Sequence, residues 1–313
     1  MKIWRTIAGT LVPLLLALTA ASPAHPQVDA ETFLDAAARG DVGLLTLLLR
    51  TGQDANVADS AGNSALMFAA ANGQLESAAL LVDNGADVNA TNLEGFTALM
   101  MAALYGHVEV ARGLLESGAD RDAKANIGMT ALLMATASGH GEMVRFLLDN
   151  GAAMDDATPD GRTLLMAAAE GGHIACVDLL LERGADPSAE ADGGFTALIA
   201  ATSNGHTEVA WRLIDAGAVF TTKPDALPEL LSNPELEVPD SLTAESIEGS
   251  VVIQFIVDAE GHVEPESVTI LETPHEALNE PVKQVFLGAV YKPAEFEGRP
   301  VRMRIRQSMS FGG

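Results

Sequence analysis

The sequence predicts an α solenoid of about six helix-turn-helix repeats followed by a small α+β domain with the element order β-β-α-β. Two recurrences and one break point to it. A four-residue phrase returns every 33 residues, as Ser64-Ala65-Leu66-Met67, Thr97-Ala98-Leu99-Met100, Thr130-Ala131-Leu132-Leu133, Thr163-Leu164-Leu165-Met166 and Thr196-Ala197-Leu198-Ile199. Turn glycines keep the same step at Gly62, Gly95, Gly128, Gly161 and Gly194, and again at Gly73, Gly106, Gly139, Gly172 and Gly205. At Lys223 the period stops, and beyond Gly249 the pattern becomes that of strands. A strict period marks a stack whose units bury their apolar faces only against their neighbours.

The chain opens differently from its body. Lys2 and Arg5 precede an apolar run from Ile7 to Ala20, and the small residues Ala21-Ser22-Pro23-Ala24 follow. That order is a secretory signal over residues 1–24, because a membrane span needs about 20 apolar residues. An uncleaved anchor is the alternative. Cys176 is the single cysteine, so no intrachain disulfide can form. Export without disulfides suits the periplasm of a Gram-negative bacterium. Cys176 occupies a small apolar helix position and reads as a buried structural thiol. The formal charge of −25 argues against nucleic acid and against anionic membrane surfaces, which are held through Lys and Arg.

The repeat array covers residues 25–222. In the third copy a first helix runs over about 97–105, with Leu99, Ala102 and Ala103 on one face. The turn Gly106-His107 follows, then a second helix through Val108, Val110, Ala111, Leu114 and Leu115, ended by Gly118 in the left-handed conformation. Helices this short are marginal alone, and stacking is what makes them hold. The last unit ends in Val219-Phe220, where earlier copies are polar, so the segment that follows should cover it.

Residues 223–246 form an acidic connector punctuated by Pro224, Pro228, Pro234 and Pro239. The α+β domain follows over 247–313. Ser250–Asp258 reads as a strand, 259–262 as a turn, Val263–Glu272 as a returning strand and Ala277–Val290 as an amphipathic helix. The last strand alternates Val301, Met303 and Ile305 with Arg302, Arg304 and Arg306.

The 33-residue unit resembles the ankyrin repeat. The residues that carry the resemblance are the T-A-L-M phrase, Gly106-His107, Glu109-Val110 and Leu114-Leu115-Glu116-Ser117-Gly118-Ala119-Asp120, with a degenerate first copy around Gly40, Leu47-Leu48-Leu49 and Gly52. The histidine that closes the family's first motif is replaced by Met67, Met100, Leu133, Met166 or Ile199, so apolar packing must stand in for its hydrogen bonds. The resemblance implies protein recognition by the turn tips and the exposed side of the first helices. Carried onto this chain, the partner-binding positions are Leu93, Glu94, Phe96, Leu104, Tyr105, Asn126, Ile127, Met129, Asp160, Arg162, Glu170, Asp192, Phe195 and Asn204. Several are large and apolar, as at a binding surface.

The C-terminal part resembles the TonB energy-transducer C-terminal domain. It does so through Ile247-Glu248-Gly249-Ser250-Val251-Val252, Val257-Asp258-Ala259-Glu260-Gly261-His262-Val263, Tyr291-Lys292-Pro293-Ala294, Glu297-Gly298-Arg299-Pro300-Val301 and Phe311. That resemblance implies capture of an extended peptide by strand addition, with Val301–Phe311 as the docking edge and its arginines favouring acidic flanks. A long Pro-rich spanning linker is missing, which argues against force transmission.

Catalytic signatures such as H-E-x-x-H, the phosphate-binding G-x-x-x-x-G-K-[ST] and G-x-S-x-G do not occur. His107, His140, His173 and His206 cannot share a zinc ion. Stacked helices lie about 8–10 Å apart and zinc takes nitrogen at about 2.0–2.1 Å. We therefore expect a non-enzymatic periplasmic adaptor without metal or cofactor, binding protein partners, with no nucleic acid and no stable membrane insertion once the signal is removed. The alternative is a membrane-anchored component of TonB-type receptor-coupled uptake.

Overall fold

Each copy of the repeated phrase starts a helix, because its first residue is the N-cap. The hydroxyls of Ser64, Thr97, Thr130, Thr163 and Thr196 accept from the amides of Met67, Met100, Leu133, Met166 and Ile199 at 3.2–3.3 Å. Such caps are worth about 1 kcal/mol each. The computed structural model describes residues 29–221, 225–232, 234–236 and 248–311; the expected signal at 1–24 lies outside them.

Among the described residues twelve helices pair in sequence order. They are α1 (Ala30–Arg39) with α2 (Val42–Arg50), α3 (Ala65–Ala71) with α4 (Leu75–Asp83), α5 (Ala98–Tyr105) with α6 (Val108–Glu116), α7 (Ala131–Ala137) with α8 (Gly141–Asp149), α9 (Leu164–Gly171) with α10 (Ile174–Glu182), and α11 (Ala197–Ser203) with α12 (Thr207–Asp215). The first five pairs belong to one compact unit that ends at Ala185. There the first helices pack in order, α1 on α3 on α5 on α7 on α9, and the second helices likewise. Met67, Met100, Leu133 and Met166 fill the interior where the family has histidine, and all four are buried. Side chains also tie one unit to the next. The amide of Asn56 donates to the Gly85 carbonyl (3.1 Å) and that of Asn89 to the Gly118 carbonyl (3.1 Å).

The second compact unit begins at Asp186 and contains α11, α12 and the C-terminal sheets. Strand β1 (Glu229–Ser232) lies inside the expected connector. It is followed by β2 (Gly249–Val257), β3 (Thr269–Glu272), helix α13 (Asn279–Leu287), β4 (Val290–Lys292), β5 (Ala294–Phe296), β6 (Arg299–Val301) and β7 (Met303–Phe311). A three-stranded antiparallel sheet runs in the order β3-β2-β7, while β1 pairs with β4 and β5 with β6. The inward residues Val251, Ile253, Phe255 and Val257 pack on Leu278, Val282 and Phe286. The Phe255 ring lies 5.1 Å from Phe286 and 5.8 Å from Tyr291.

The sequence boundaries shift at three places. The returning strand starts at Thr269 rather than Val263, because Pro265–Ser267 form a 3-10 turn. The helix begins at Asn279 after a second 3-10 turn, and Val290, expected at its end, belongs to β4. The last strand is broken at Arg302, since Val301 pairs with Ala294 in β6 while Met303 pairs with Val257 in β7.

The apolar ending of the last repeat is covered within this unit. Phe220 is buried, its ring 5.3 Å from Phe296, which also lies 5.3 Å from Trp211. The Arg299 guanidinium stacks 3.9 Å over Trp211. Phe220 also pairs in parallel with Met303. Its amide donates to the Arg302 carbonyl (3.0 Å), and the Arg304 amide donates to the Phe220 carbonyl (2.7 Å).

Candidate protein-binding surfaces

The turn tips of the second, third and fourth repeats are hydrogen-bonded into one rail. The Leu93 amide donates to the Ala61 carbonyl (3.0 Å) and the Asn126 amide to the Glu94 carbonyl (3.0 Å). The Asn126 side chain adds a bond to the Leu93 carbonyl (3.0 Å). Beneath them the buried Asn92 amide donates to Asn63 (2.8 Å), and its oxygen accepts from the amides of Glu94 and Phe96. Sequence reasoning missed Asn63 and Asn92; their only local signal is an asparagine within three residues of a turn glycine, Gly62 or Gly95.

Two large apolar side chains stand on this rail, Leu93 at 74% exposure and Ile127 at 44%. Glu94 and Asn126 are exposed beside them, and Leu104 and Tyr105 are half-buried on α5. Phe96 and Met129 leave the predicted surface: they are 4% and 2% exposed. Their carbonyls close the turns by accepting from Asn92 and Ala125, which tucks both side chains under the tips.

In the fifth repeat Asp160, Arg162 and Glu170 form one network. The Arg162 guanidinium reaches Glu170 at 2.9 Å and Asp160 at 3.1 Å. A hydrogen bond from the Thr158 hydroxyl is the main reason that the Asp160 carboxyl lies below its ordinary range. In the second compact unit Asp192 and Asn204 are exposed and Phe195 is half-buried.

The histidine rings join neighbouring repeats. Nε2 of His107, His140 and His173 lies 3.1, 2.9 and 2.9 Å from the carbonyls of Ala71, Leu104 and Ala137 in the preceding units. Among the described residues no group of three or more His, Cys, Asp or Glu could hold a metal ion. Cys176 is fully buried, and burial pushes its thiol up to about 11. The folded form therefore keeps the thiol protonated while the unfolded chain ionises near 9. Stability should be intact below pH 9 and fall by about 2–3 kcal/mol as pH rises through 11, at about 1.4 kcal/mol per pH unit. Urea midpoints of Cys176→Ala and the parent, taken across that range, should converge at high pH if this holds.

The predicted arginine row is not free. Arg302 makes a bidentate pair with Glu264 (2.7 and 2.9 Å) and donates to the Gly217 carbonyl (2.7 Å). Arg304 pairs with Glu190, and Arg306 with Glu272 at 3.0 Å. An attraction to acidic peptide flanks is thereby offset by the chain's own glutamates. The strand itself is an edge. Residues 302 and 304 direct their peptide groups away from β2, and alternation places those of Arg306, Ser308 and Ser310 on the same side. Among the described residues no strand or bridge other than β2 pairs with those three.

Stacked short helix pairs with a bonded row of turns in one unit, and a sheet with an open edge in the other, define a repeat-type interaction protein. The ankyrin-repeat family model matches in three copies, over residues 33–125, 119–191 and 155–224, and the chain belongs to that family. The model of the Gram-negative bacterial TonB protein C-terminal domain matches residues 234–312. No curated protein matches the chain. Both families are non-catalytic interaction domains. Among the described residues no helix is long and apolar enough to cross a membrane.

Proposed function

We propose that the protein is a non-enzymatic adaptor of the Gram-negative periplasm. On this reading residues 1–24 direct export, a six-unit ankyrin array over 25–222 binds a protein partner, and 223–246 lead into a TonB-like module at 247–313. The observation that carries the reading is the rail of bonded turns presenting Leu93 and Ile127 to solvent. A rigid scaffold holds these side chains without conformational cost on binding, and large exposed apolar residues mark interaction sites. Glu94, Asn126, Leu104 and Tyr105 complete the array's surface, with Asp160, Arg162 and Glu170 as a polar margin.

The test is capture from periplasmic extract by the intact protein and by Leu93→Asp/Ile127→Asp. Both positions are exposed, so helicity and the urea midpoint should stay within about 0.5 kcal/mol of the parent. Specific capture should fall to background. Undiminished capture by the double variant would end the assignment. The TonB-like match favours a second reading, a role in receptor-coupled uptake with residues 1–24 kept as an anchor. Fractionation of the mature protein with membrane would support it.

A further inference from the structure

Charge is spread unevenly along the array. From Thr51 to Ala111, most of the second and third repeats, the chain carries seven carboxylates and neither lysine nor arginine. Among the described residues only Glu109 of the seven has an ion-pair partner, Arg112 at 3.3 Å. Further along, Arg112, Arg121, Lys124, Arg162 and Arg183 are each paired with an acid of the array itself. All of these residues lie in the compact unit that ends at Ala185. We propose that the partner of the turn rail is a basic protein segment. Its apolar side chains cover Leu93 and Ile127, and a flanking lysine or arginine meets Glu94. This deepens the reading of the rail as a docking surface and rests on it.

Glu94 is placed for that contact. Its amide donates to the Asn92 side chain (3.0 Å) and its carbonyl accepts from the Asn126 amide (3.0 Å), so the tip that carries it is braced from both sides. The residue is exposed, next to Leu93. Ile127 holds the equivalent position one repeat on, a spacing of about 8–10 Å. A partner that covers both apolar side chains also takes water from the carboxylate beside them, and a cation is what offsets that cost. The unbalanced charge of these two repeats further attracts a basic segment before contact and speeds its arrival. A second copy of the chain, at −25, would only bring more carboxylates to the same surface.

The test uses the intact protein and two fluorescein-labelled peptides of equal length, with the same leucines and with either lysine or glutamate at the flanking positions. In low salt, anisotropy titration should show the lysine peptide binding at least about tenfold tighter than the glutamate peptide, a difference of about 1.4 kcal/mol. That advantage should shrink as salt is added. Glu94→Lys should weaken the lysine peptide about tenfold and tighten the glutamate peptide. Glu76→Lys makes the same charge change on the second helix of the second repeat, and should alter each affinity by less than about twofold. Leu93→Ser/Ile127→Ser should weaken the lysine peptide about tenfold. Equal effects of Glu94→Lys and Glu76→Lys would mean a response to overall charge and would overturn the inference. Equal binding of the two peptides, or no binding below about 1 mM, would overturn it too. If Leu93→Ser/Ile127→Ser leaves the lysine peptide's affinity unchanged, the rail itself is lost as a docking surface, and the inference with it.

Discussion

Phe220→Ala is expected to destabilise the second compact unit by about 3–5 kcal/mol, the range for emptying a buried aromatic site. The ring is 3% exposed and lies against Phe296, which in turn lies against Trp211, so its loss opens a cavity in a cluster of three tilted rings. The backbone pairing with Met303 survives the substitution, which isolates the side chain's share. Trp211 is the natural reporter. Its urea midpoint should drop with little change in slope, as for a change in stability rather than in compactness. A loss below about 1 kcal/mol would show that the stack relaxes around the gap, and that the ring is not what holds the repeat to the hairpin.

A chain ended after Thr221 is expected to lose the fold of α11 and α12, not only the sheet. The cut removes Phe296, Arg299, Met303 and the Arg302 guanidinium that holds the Gly217 carbonyl. It leaves Trp211, Val219 and Phe220 facing water, and repeat arrays need a polar terminal cap. Amides over 197–215 should lose protection from exchange, and Trp211 emission should move to its solvent value. Retained protection in the shortened chain would make the sheet a detachable module. A consequence for mapping partners follows: halves divided near Lys223 do not report on two folded parts, whereas division at Ala185/Asp186 keeps each compact unit whole.

Much of the repeat was legible because its causes are local. The phrase beginning with Thr97 combines an N-cap with apolar residues at helical spacing, and Gly106 ends the helix at φ 75. The displacement of the family histidine by Met67, Met100, Leu133 and Met166 is readable in the same way, and all four are buried. Phe96 misled because an aromatic residue after a turn glycine looks like a tip residue, and only the Asn92 bonds reveal that it lies beneath. The arginine row misled for the opposite reason. Strand alternation placed Arg302, Arg304 and Arg306 on one face correctly, but their partners Glu264, Glu190 and Glu272 lie 34 to 114 residues away.

By itself the sequence determined the helix starts and stops, the stacking period and the alternation of the closing strand. Each depends on residues within one turn or one strand of each other. Only the tertiary structure decided that the last repeat shares a core with the sheet, that Phe220 takes the first rung of β7, and that the arginines are neutralised. Those contacts join positions distant along the chain, so no local pattern encodes them. They form because uncovered rings and unpaired peptide groups are costly in either segment alone.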